Sequence, residues 1–100
     1  MRSIFAAILM LSIATPALAE TAKERAARCA AQSEIIVQAV EMRQKRRSEA
    51  RAKKTILETT DDRLAPSVPL LVGFVYTLHR SDLKRDVRGS FLEQCNAYKP

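Results

Sequence analysis

Two cysteines, Cys29 and Cys95, stand 66 residues apart. In an oxidising compartment they can form one cross-link, with no choice of partner. As metal ligands they lack company, because the chain has no third cysteine and His79 is its only histidine. The other group able to do chemistry is a run of cations: Arg43, Lys45, Arg46, Arg47, Arg51, Lys53 and Lys54 against the single Glu49, all within twelve residues. The whole chain carries a net charge of +6, and outside this run and the first nineteen residues the charges nearly cancel. Such a patch can hold phosphate or carboxylate groups at several points; its plainer reading is a solvated helix face. No aromatic lies within it to stack a base, so nucleic acid is not an expected partner.

The remaining polar residues carry less. His79 has no Cys or paired carboxylate beside it and reads as a cation at the end of a helix, where the helix dipole favours it. Asp61-Asp62 and the pair Asp82, Asp86 are the only carboxylate clusters, too few to ligate calcium. Asp82 and Asp86 read as acids on one face near a helix start. The sequence has no C-x-x-C, no phosphate-binding glycine loop and no H-E-x-x-H. It implies neither an enzyme nor a cofactor, and no metal site.

The compartment follows from residues 1–19. Arg2 supplies a positive start, Ile4–Ile13 an apolar stretch, Thr15-Pro16 a break, and Ala17-Leu18-Ala19 a small-x-small cleavage pattern, so the segment reads as a secretory signal peptide cut before Glu20. Ile4–Ala19 is too short and too interrupted for a span of about 20 apolar residues. No cysteine follows the cut to carry a lipid. The expectation is therefore an exported, periplasmic protein that does not span the membrane after cleavage, with residues 20–100 as one helical domain. Export makes a Cys29–Cys95 disulfide the expected state. The natural anionic partners become an envelope protein or an anionic envelope surface.

The elements that must position these groups are helical: two glycines and four prolines leave few breakers. From Thr21 to about Lys45, Ala26, Cys29, Ser33, Ile36, Val40 and Arg43 recur at helical spacing, with Ala30 and Val37 widening the stripe. Ser48 followed by Glu49 marks a second start, predicting a helix over about 49–59 that presents Ala52, Ile56 and Leu57. With no Gly or Pro at the join, one continuous helix over 21–59 is the alternative, giving three helices rather than four. Pro66 and Pro69 suit the first turn of a third helix, Val68–Leu78, which reads as apolar on nearly every side and hence as the most buried element; a strand is the competing reading. Within it Leu70, Leu71, Phe74, Val75, Tyr76 and Leu78 are expected in the core, with an apolar groove as the lesser reading. Ser81 is the predicted cap of a fourth helix that aligns Leu83, Val87, Phe91 and Cys95, with Gly89 read as a close helix contact and residues 96–100 as a fraying tail. The expected fold is an all-α, antiparallel bundle of four helices tied by one disulfide.

Cys29 with Ile36, Val40 and Arg43, then Ser48-Glu49, Leu70-Leu71, Phe74-Val75-Tyr76, and Phe91 ahead of Cys95 together resemble a loose group of small exported proteobacterial proteins that carry one cysteine near each end of an all-helical domain. That resemblance implies a fold and no activity. The chain departs from the group at Arg46-Arg47, where a turn residue such as glycine is usual. A second similarity is architectural: acid-stress periplasmic chaperones are also small, helical and tied by one disulfide, which implies a binding role triggered by protonation of paired carboxylates. A structural accessory subunit of an envelope complex is the further alternative.

Overall fold

The computed structural model describes residues 20–98. The segment assigned to export, residues 1–19, lies outside the described residues, as do residues 99 and 100. Four α-helices follow in order: α1 (Ala22–Gln44), α2 (Glu49–Thr59), α3 (Val68–Thr77) and α4 (Val87–Ala97). Among the described residues there is no strand. No helix among them is long and apolar enough to cross a membrane.

Each start has a local cause. Thr21 and Glu24 form a reciprocal capping box at α1, with Glu24 N donating to Thr21 Oγ1 at 3.0 Å and Thr21 N donating to Glu24 Oε1 at 2.9 Å. At α2, Arg51 N donates to Ser48 Oγ at 3.1 Å, as the Ser-Glu signal predicts. Pro66 falls in a 3₁₀ turn, Ala65–Ser67, and Pro69 in the first turn of α3, where neither removes a needed donor.

The continuous helix over 21–59 does not form. Lys45 N–H still bonds Glu41 O, but Arg46 then turns to φ 65°, so that Arg46 N donates to Arg43 O and Arg47 N to Met42 O. This is a Schellman ending, which consumes the last carbonyls of α1 and reverses the chain. Its left-handed position is the one usually filled by glycine.

The fourth helix starts later than Ser81 implies. Residues Arg80–Lys84 form a 3₁₀ turn, and α4 begins after Asp86, whose carboxylate accepts from Gly89 N at 2.8 Å. Asp82 and Asp86 therefore do not share a helix face. The atoms nearest a Cβ built on Gly89 belong to the Asp86 cap, so the close approach there is to its own helix start. At the other end α4 runs through Ala97, and Asn96 Nδ2 donates to Leu92 O at 3.0 Å, so helix replaces the expected fraying at 96 and 97.

The core joins Ile35, Ile36 and Ala39 of α1, Ala52 and Ile56 of α2, Val68, Leu71, Val72 and Val75 of α3, and Leu83. On α1 the expected stripe holds at Cys29, Ser33 and Ile36, widens to Ile35 and Ala39, and leaves Ala26 and Ala30 exposed. Leu57 stays exposed. α4 contributes no fully buried residue. Contacts along α1 and α4 run in opposite order: Cys29 with Cys95, Ser33 and Glu34 with Arg88, Gln44 with Leu83 just before α4. Contacts along α1 and α3 run in the same order, Gln32 with Ser67 and Arg43 with Val75. The Cys29–Cys95 disulfide, with Cα atoms 5.8 Å apart, clamps α4 to α1.

Candidate functional site

The turn between α1 and α2 gathers the basic residues, but not all seven face outward. Arg43 is half-buried and points back into the fold. Its Nη1 donates to Val75 O at 2.7 Å, one of the last carbonyls of α3, and its guanidinium lies 5.8 Å from the centre of the Tyr76 ring. Tyr76 in turn donates its hydroxyl to Arg47 O at 2.8 Å. Burial is the main cause that pushes the Tyr76 hydroxyl above its ordinary pKa; the Arg43 cation opposes it and Glu49 adds to it. Arg43 and Tyr76 thus bracket the turn from behind. Lys53 is also engaged, its Nζ 2.9 Å from Glu49 one helical turn earlier.

Lys45, Arg46, Arg47, Arg51 and Lys54 remain, all exposed. Among the described residues no carboxylate lies within 4.0 Å of any of them. Three are arginines, whose planar forks match phosphate and carboxylate oxygens two at a time. The backbone that carries them is fixed by the Schellman bonds, the Ser48 cap and the Tyr76 hydroxyl. This corner can hold an extended anionic surface at several points without first ordering a loop.

The other polar residues resolve into local structure. His79 sits beyond α3, where its Nδ1 accepts from Ser81 N at 3.2 Å and lies 2.8 Å from Ser81 Oγ, capping the 3₁₀ turn that follows. Asp61 Oδ1 accepts from Arg63 N at 3.0 Å in an ordinary turn. Asp82 makes a loose 3.7 Å pair with Arg85. Among the described residues no group of three His, Cys, Asp or Glu is placed to hold a metal ion.

The third helix is not uniformly buried. Val68, Leu71, Val72 and Val75 are in the core, but Leu70 is 76% exposed and Phe74 45%. They border a groove of about 810 Å³ that opens between α3 and α4, floored by Leu71, Leu78 and Phe91. Composition favoured core over groove for this stretch; the ten-residue α3 has three faces to cover and only α1 and α2 packed against it. Tyr98, at the end of the chain, also lines the groove and is 62% exposed.

No family model matches this chain, and no curated protein or solved structure is significantly similar to it.

Proposed function

We propose that the protein works in the periplasm after removal of residues 1–19, binding an anionic envelope partner through the corner formed by Lys45, Arg46, Arg47, Arg51 and Lys54, and not by catalysis. The observation that supports this most is Arg46. A non-glycine residue in the left-handed region costs about 1–2 kcal/mol, and the Schellman ending it occupies is satisfied more cheaply by glycine. The position nonetheless carries a long cation, exposed, unpaired and flanked by four more. A surface residue held in a costly conformation points to selection on its side chain.

Phosphate-bearing vesicles provide the direct test. Each cation near an anionic bilayer contributes about 1 kcal/mol, so converting Arg46, Arg47, Arg51 and Lys54 to Gln should weaken partition by as much as roughly a thousandfold at low salt. The wild-type protein should sediment with anionic vesicles, stay in solution with neutral ones, and be released by added salt. Equal retention on both vesicle types would refute an anionic lipid partner. Capture of an envelope protein by the wild type, lost in the fourfold variant, would move the partner from lipid to protein.

A further inference from the structure

Three of the four large hydrophobic side chains most exposed among the described residues, Leu70, Phe74 and Tyr98, border one groove. Behind them α3 and α4 both pack on α1 yet scarcely touch each other, and α4 has no fully buried residue. The bundle thus lacks a covering element on this side. Large apolar side chains gathered around an open hollow are the usual mark of an interaction surface.

We propose that this groove pairs with the same groove of a second copy of the chain. The first reason is shape. One patch carries both a projecting apolar side chain, Leu70, and a hollow floored by Leu71, Leu78 and Phe91. A two-fold interface needs that combination, since each copy must present the knob and the hole at once. The second reason is charge. The groove is edged by Arg28 and Arg85 and by Asp82 and Asp86. Arg28 is already held by Glu20, with Nε 2.9 Å from Oε2. The Arg85 side chain is 82% exposed and only loosely paired with Asp82 at 3.7 Å. A rim of mixed and balanced sign suits a surface like itself.

The third reason is position. None of the groove's lining residues belongs to segment 43–54. Pairing through the groove therefore joins two strongly basic molecules by a charge-balanced face and leaves both cationic corners open.

Sedimentation equilibrium of the oxidised protein, recovered from cells and run up to about 100 micromolar, decides the matter. The expected mass is twice that of the chain, falling to the single-chain mass for Leu70→Glu and for Phe74→Glu. Leu70 is largely solvated and Phe74 is nearly half exposed, so circular dichroism should show that each variant keeps its helices. A wild-type protein that stays single at the highest concentration overturns the proposal, as does a dimer that survives both substitutions. A fluorescent apolar probe that binds a single-chain wild type, and not Phe74→Glu, would also overturn it and assign the groove to a small apolar ligand.

Discussion

Replacing Arg46 with glycine should make the protein more stable and a weaker binder. Arg46 sits at φ 65°, which costs an L-residue about 1–2 kcal/mol that glycine does not incur. Against this, glycine adds about 0.4–1 kcal/mol of unfolded-chain entropy, and removing a cation from the C-terminal end of α1 forfeits about 0.3 kcal/mol of dipole interaction. The balance is a gain of about 0.5 kcal/mol, or roughly 2–4 °C in Tm for a domain of this size. Arg46→Ala is the control. It loses the same charge but keeps the Cβ in the left-handed region, so it should be less stable than Arg46→Gly by about 1 kcal/mol. Denaturant unfolding with the disulfide intact gives all three values from one series. Both variants should bind anionic vesicles about fivefold more weakly than wild type, the effect of one cation at a charged surface. If glycine proves no more stable than alanine, the left-handed Schellman ending is wrong. If binding is unchanged in both, Arg46 is not retained for its charge.

Reducing the disulfide should cost about 4 kcal/mol for a separation of 66 residues. Because α4 has no fully buried residue, its amides should lose hydrogen-exchange protection before those of α1 to α3; simultaneous loss throughout would show that α4 is held by more than the bond. Arg43→Met removes the bond to Val75 O and the contact with Tyr76, and should lower stability by about 1.5–3 kcal/mol while the folded protein binds anionic vesicles as before. A drop in binding like that of Arg51→Gln would return Arg43 to the partner surface. Glu20 is held below its ordinary pKa chiefly by its hydrogen bond to Arg28, so its stabilisation is complete at neutral pH and is lost as pH falls through that lowered value. Thermal melts from pH 7 downward should show a steeper acid loss for wild type than for Glu20→Gln; parallel curves would mean that the pair contributes nothing. Intact mass before and after alkylation, without and with reduction, checks cleavage after Ala19 and the Cys29–Cys95 bond together.

The elements set by local chemistry were legible, and those set by packing were not. Ser48 followed by Glu49 marks α2 to the residue because a cap needs only its own backbone. The end of α1 is harder: its Schellman turn lacks the glycine that announces one, so the stop near Lys45 competes with a continuous helix until the φ of Arg46 is seen. The start of α4 misleads for a related reason. Ser81 and Asp86 are both good caps; Ser81 falls inside a 3₁₀ turn capped by His79, which buries Leu83, and Asp86 caps the helix. Exposure was the least legible property. VPLLVGFVYTL carries no polar stripe to show which face lacks a neighbour, and only the spread of α3 from α4 reveals Leu70 and Phe74 as surface.

A count of charges also cannot separate arginines that build the fold from arginines that face a partner. Arg28 closes on Glu20, Arg88 reaches Ser33 and Glu34 across the α1–α4 seam, and Arg43 spans from α1 to α3. Each has an acceptor in the fold, and truncating it should register first in stability. Arg46, Arg47 and Arg51 share the composition of that set and none of its acceptors. Had the turn required only charge for solubility, a glycine at 46 between Lys45 and Arg47 would have left it basic and relieved the backbone. The cation at the strained position is therefore the one whose loss should separate the two effects most cleanly, raising stability while lowering affinity.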